Sequence, residues 1–115
     1  MNVMSEPDIE QMIQEKDLNA PRITPTIIDN NIELIQYYVF PNSQLTICCI
    51  TLKNGYNVTG ESACASPENF NKEIGEKIAF DMARNKIWGL EGYLLKEQLY
   101  KNSIAPANNE NYKGN

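Results

Sequence analysis

The sequence predicts an α+β fold: short N-terminal helices, a three-stranded antiparallel meander, then a long C-terminal helix broken near Gly89 into a helical hairpin. Three observations predict it. Leu45-Thr46-Ile47-Cys48-Cys49-Ile50-Thr51-Leu52 is a run rich in β-formers with two apolar faces, as a central strand requires. Lys53-Asn54-Gly55 carries Asn-Gly directly after it, the strongest short hairpin signal. From Lys72 to about Leu99 the apolar residues follow helical spacing.

The elements follow in order. Ser5-x-x-Asp8 has the form of a capping box with acidic residues in the first turn. Ile9, Met12 and Ile13 then give a short amphipathic helix from about Pro7 to Asp17. Leu18 to Arg22 reads as a connector. Thr24-Pro25 starts a second short helix, with threonine as cap and proline at the first helical position, and with Ile27, Ile28 and Ile32 on its apolar side.

Ile35 to Phe40 is the first strand and stops at Pro41. Asn42-Ser43-Gln44 is a turn. After the central strand and Asn-Gly, Tyr56 to Ser62 alternates, with Tyr56 and Val58 on one face and Asn57, Thr59 and Glu61 on the other. That second face is solvated or an interface. Ser66-Pro67 opens the helical half, and Asn69 or Asn71 restarts the cap after Phe70.

Gly75, Ala79 and Ala83 are spaced by four along the long helix. A stripe of small residues admits close approach, either of the core or of another subunit, and Gly75, Ala79 and Ala83 are taken as the candidate oligomer interface. Ile74, Ile78, Met82, Ile87, Leu90 and Leu94 run beside it. Gly89 and Gly92 each cost about 1 kcal/mol relative to alanine in a helix interior, so the expectation is one helix to Trp88 and a second to Leu99. Residues 1–102 form one α+β domain, and 103–115, polar and without period, read as a disordered tail.

Composition bounds the function. The chain has 115 residues, with 15 Asp plus Glu against 10 Lys plus Arg. One small domain buries a limited core, and association is a natural supplement. An acidic balance argues against a general grip on the nucleic-acid backbone. No apolar run approaches the roughly 20 residues that span a bilayer, and Met1 to Glu6 has no signal-peptide pattern. Histidine is absent, which removes the usual general base and the Cys–His and Ser–His–Asp nucleophilic sets. Cys48, Cys49 and Cys64 are an odd count with two adjacent, and read as reduced thiols. Cys48 and Cys49 would point to opposite faces of a strand, which disfavours a zinc site. No cofactor or metal is expected.

Five residues are candidate ligand contacts. Phe70 and Trp88 offer rings on which a nucleobase can stack. Lys77 and Arg84 offer charge to phosphates, and Asn69 stands at a helix start suited to anions. Each has a plainer use. Glu73, Lys77, Asp81 and Arg84 make a ladder of alternating charge on a solvated helix face. Trp88 and Phe70 suit a core. Glu61, beside Ser62 and Cys64, is more simply a partner for Lys77 or Arg84 than a catalytic acid.

Asn19-Ala20-Pro21-Arg22-Ile23-Thr24-Pro25, Gly60-Glu61-Ser62-Ala63-Cys64, Asn69-Phe70, Lys86-Ile87-Trp88 and Leu90-Glu91-Gly92-Tyr93 together resemble a family of small tailed-phage proteins. It is named after gene product 49 of coliphage N-four and gene product 66 of a Shigella phage. The resemblance spans roughly Asp8 to Leu99. It implies a phage or prophage origin and the host cytoplasm, but no reaction. The expected architecture, a small antiparallel sheet followed by a helical hairpin in an oligomer, also looks like the Thoeris anti-defence sponges that sequester nucleotide immune signals.

Two functions follow as expectations. The first is a non-enzymatic, homo-oligomeric counter-defence protein that sequesters a nucleotide-derived ligand, of cyclic nucleotide or ADP-ribose type, through Asn69, Phe70, Lys77, Arg84 and Trp88. The second is a protein–protein module that docks on and inhibits a host protein through the exposed sheet face. An enzyme using Glu61 or Asp81 is the third and least supported reading.

Overall fold

The structure, a computed structural model, describes residues 5–16 and 20–104. Helix α1 spans Glu6–Glu15, α2 Pro25–Asn30, and α3 Lys72–Ser103. Strands β1 (Ile32–Val39), β2 (Leu45–Leu52) and β3 (Asn57–Ala63) form an antiparallel sheet in the order β1-β2-β3. A short 3₁₀ turn covers Pro67–Asn69. The expected α+β class and meander are therefore present, with β2 central.

The local signals act as their chemistry dictates. The Ser5 hydroxyl accepts from Asp8 N–H and Asp8 accepts from Ser5 N–H, a complete capping box. Thr24 caps α2 by accepting from Ile27 N–H, and Asn71, rather than Asn69, caps α3 by accepting from Ile74 N–H at 3.0 Å. Gly55 takes φ 92° in the β2–β3 turn, where only glycine is unstrained. Residue Ile32, expected on the apolar side of α2, instead opens β1. That strand starts three residues earlier than its β-forming run because a bulge at Glu33 restores the pairing between Ile32 and Leu52.

Alternation along β2 divides the sheet into two faces. Thr46, Cys48, Ile50 and Leu52 are buried beneath α3, together with Val58 and Gly60 of β3. Ile28 of α2 closes the core at one end, and Ala79, Ala83 and Ile87 close it from α3. Helix α3 lies over β3 and β2 and leaves β1 largely free. Among the described residues no element covers the other face of the sheet. Leu34, Tyr38 and Phe40 are exposed there, and the Tyr38 and Phe40 rings meet edge-on at 4.8 Å.

Gly60 and α3 approach each other closely. A Cβ at Gly60 would stand 2.1 Å from the Ala79 carbonyl oxygen and 2.5 Å from the Ala83 nitrogen. No side chain fits between the two backbones. The small-residue stripe is therefore used inside the chain. Ala79 and Ala83 are 0% exposed, and Gly75 sits over Thr46. This corrects the expectation that Gly75, Ala79 and Ala83 form a subunit interface: Ala79 and Ala83 are sealed in the core of their own chain and have no surface to offer a neighbour, and only the half-buried Gly75 retains some. The apolar row beside it divides. Ile87 is buried, whereas Ile74, Ile78 and Met82 are 60%, 48% and 42% exposed.

The expected break at Gly89 is absent. Helix α3 runs unbroken for 32 residues, about 48 Å at the usual rise. Two glycines cost about 2 kcal/mol together, but a reversal there would cost more contacts than it relieves. Leu90 packs against the core, and Glu91 accepts a hydrogen bond from the Asn31 side chain at the end of α2. No proline interrupts the helix. The helical hairpin, one of the points of likeness to the Thoeris sponges, is therefore replaced by a single rod. Ser103 belongs to its last turn and Ile104 caps it. The remainder of the expected tail, 105–115, and the connector residues 17–19 lie outside the described residues.

Two glycine substitutions of opposite sign check this arrangement. Gly60→Ala should destabilise the fold by about 3 kcal/mol or more, at the upper end of overpacking costs because backbone atoms must move. Gly89→Ala, whose new methyl would meet nothing within 4 Å, should stabilise by about 0.5–1 kcal/mol. Urea unfolding followed by circular dichroism measures both. A helix broken at Gly89 would lose rather than gain stability in the second variant.

Candidate functional site

An open cleft of about 930 Å³ lies between α1, the segment before α2, and one side of α3. Ser5, Glu6, Ile9, Glu10 and Ile13 line one wall. Lys77, Asp81, Arg84, Asn85 and Trp88 line the other, and Arg22, Ile23 and Pro25 form the end. Helical spacing brings the α3 residues together: 77, 81, 84 and 88 recur at four, three and four and so share a face.

Arginine 84 is the hub. Its Nε donates to Asp29 Oδ1 at 2.8 Å and its Nη1 to Glu6 Oε2 at 2.7 Å. One guanidinium thereby joins α3 to α2 and to α1. Its side chain is only 14% exposed, and the bonds to Asp29 and then Glu6 hold it still more firmly protonated. Arg22 donates two hydrogen bonds to the carboxylate of Glu10, at 3.0 and 2.6 Å, the two-pronged geometry that suits carboxylates and phosphates alike. Lys77 Nζ reaches both oxygens of Asp81 at 2.8 and 2.9 Å. The indole of Trp88 packs partly against the core and borders the cleft.

The five expected ligand contacts therefore do not converge. Lys77, Arg84 and Trp88 line this cleft, whereas Asn69 and Phe70 line a hollow of about 100 Å³ at the start of α3 with Gln44, Ser62, Cys64, Ile74 and Ile78. Helix α3 explains the split. The hollow lies toward the β3 side of the rod and the cleft toward α1. Sequence reasoning also missed Arg22, Glu6 and Glu10. Helical spacing cannot report partners that come from other elements. The ladder Glu73-Lys77-Asp81-Arg84 is realised only as Lys77–Asp81. Glu61 pairs with neither Lys77 nor Arg84, which are held by Asp81 and by Glu6 and Asp29.

Elsewhere the chemistry is sparse. The three thiols are free. Burial pushes the Cys48 thiol up to about 11, which keeps it protonated and unreactive. Among the described residues no group of three or more His, Cys, Asp or Glu side chains is placed to hold a metal ion, and no helix is long and apolar enough to cross a membrane.

The Arg22 hydrogen bonds hold the Glu10 carboxyl below its ordinary 4.5. A depressed folded value means that this contribution to docking α1 is complete above the unfolded value and is lost as pH falls through the folded one. Amide protection factors of α1 should therefore fall as the pH drops below the ordinary carboxylate range while those of the buried turns of α3 persist. Equal retention of both would refute an ionic attachment.

Residues 23–99 match the family described as Phage protein (N4 Gp49/phage Sf6 gene 66) family. No curated protein and no solved structure matches the chain. The matched segment contains α2, all three strands and α3 almost to its end, and leaves α1 outside. The chain belongs to this phage protein family.

Proposed function

We propose that this phage protein acts by holding a ligand rather than by turning one over, and that the α1–α3 cleft takes a nucleotide-derived molecule of cyclic nucleotide or ADP-ribose type. Sequestering such a signal would make it a counter-defence protein working in the host cytoplasm. One observation carries the reading: Arg22, Lys77, Arg84 and Trp88 border a single cleft of about 930 Å³. That volume is in the range of small-molecule sites. Guanidinium groups suit phosphates, and the indole offers a face for a base. The absence of histidine and the unreactive Cys48 thiol favour binding without catalysis.

Association of copies belongs to the same reading, on a different face from the one expected. Ile74, Ile78 and Met82 form an exposed apolar row at four-residue spacing on α3, next to the Asn69–Phe70 hollow. A second copy covering that row would supply the wall that a hollow of about 100 Å³ lacks.

Thermal shift against a panel of cyclic oligonucleotides and ADP-ribose derivatives tests the ligand class. At least one should raise the melting temperature by several degrees, and Trp88→Ala should abolish the shift. Native mass spectrometry of the same complex reports subunit number and ligand together. A panel without any shift would remove this reading.

A second reading is favoured by the uncovered sheet face, where Leu34, Tyr38 and Phe40 stand exposed: docking on a host protein. Its expected outcome is one stoichiometric partner captured from host lysate and lost on Tyr38→Asp. Capture that survives this change would refute docking through that face.

A further inference from the structure

We propose that α1 is an internal competitor for the anion the cleft takes: Glu6 and Glu10 occupy the guanidinium forks of Arg84 and Arg22, and a phosphate-bearing ligand enters by displacing them. The inference rests on the cleft being the ligand site.

Four observations lead to it. First, the attachment of α1 is mainly ionic. No residue of α1 is fully buried, Ile9 and Met12 remain exposed, and of its apolar residues Ile13 alone is half-buried. Its two cross-links to the body are Glu6 to Arg84 and Glu10 to Arg22. Partly exposed pairs of this kind contribute little each. Second, α1 has 10 residues, short of the roughly 12–15 that sustain a free helix in water. Its helicity depends on the capping box and on being docked.

Third, carboxylate and phosphate oxygens use the same donors. The paired 3.0 and 2.6 Å bonds from Arg22 to Glu10 have the geometry an arginine offers a phosphate. Fourth, the charge of the cleft changes sign with α1. With α1 in place, Arg22, Lys77 and Arg84 face Glu6, Glu10, Asp29 and Asp81, so acids outnumber bases by one. Without Glu6 and Glu10, three cations face two carboxylates. The docked cleft repels an anion and the opened cleft attracts one.

A weakly held arm sets the affinity by its own stability, since binding to a fractionally populated open state is reduced by that fraction. The cleft would then discriminate by phosphate content. A ligand with one weak anion gains too little to displace two carboxylates, whereas a pyrophosphate brings a phosphoryl group for each of the two arginines that line the cleft.

The test uses the full chain with inorganic pyrophosphate and ADP-ribose as probes, titrated by calorimetry. Glu6→Gln combined with Glu10→Gln keeps the side-chain sizes on α1 and removes both competing charges. It should bind either probe at least about fivefold more tightly than the unaltered protein, roughly 1 kcal/mol. Glu15→Gln removes one charge from α1 without touching a guanidinium and should change affinity less than about twofold, which separates local competition from net charge. Hydrogen exchange should show α1 amides losing protection when probe binds the unaltered protein. Binding by all three proteins with equal affinity overturns the competitor role and leaves the cleft as ligand site. Binding by none of them overturns both. Tighter binding by the double variant with α1 still protected in the complex overturns displacement.

Discussion

A missing side chain in β3 sets the position of everything above the sheet. Gly60 lets the backbone of α3 settle against β3 at Ala79 and Ala83, closer than any residue with a Cβ would allow. That contact fixes three things at once. It seats Ile87 over the core, turns Ile74, Ile78 and Met82 to solvent, and aims Lys77, Arg84 and Trp88 sideways into the cleft. A rod seated over β3 and β2 is also shifted off β1, which leaves Ile35 and Tyr37 exposed on the helix side and leaves room for α2 beside β1.

The hub of charge follows from that placement. Arg84 projects where the end of α2 brings Asp29 and the start of α1 brings Glu6. The carboxylate of Asp29 comes from the folded body, and that of Glu6 from a helix with no fully buried residue. The two bonds on one guanidinium therefore differ in character. One is part of the fold and the other can be exchanged. The same distinction separates Arg22, whose partner lies on α1, from Lys77, whose partner is one turn away on its own helix. The segment matched to the phage family begins at residue 23, so α1 and Arg22 lie outside it.

Local chemistry was legible and spatial partnership was not. The capping box at Ser5, the Thr24-Pro25 start, the strand from Leu45 to Leu52 and the turn at Asn54-Gly55 all form as their sequences dictate, because each is decided within a few residues. The helix break was misread because glycine propensity at Gly89 and Gly92 is a small local cost, outweighed by Leu90 on the core and Glu91 on Asn31. The Gly75-Ala79-Ala83 stripe was correctly read as a close-packing surface, but the residue it packs on, Gly60, lies in a strand whose glycine gave no hint of its partner. Of the site, Lys77, Arg84 and Trp88 were chosen from spacing along one helix, which is how the cleft arranges them. Glu6, Glu10 and Arg22 were missed because only tertiary structure brings the N-terminal segment to α3. Asn69 and Phe70 were grouped with them because they precede the same helix, and a rod of this length separates what a linear reading joins.

The position of α3 is the claim from which the cleft, its charges and the exposed row all follow. Proton–proton nuclear Overhauser contacts from the Gly60 α-protons test it most directly. The structure predicts strong cross-peaks to the methyl groups of Ala79 and Ala83 in the free protein. Cross-peaks from Gly60 to Ile74 and Ile78 in their place would put a different face of the helix on the sheet, and would contradict the account.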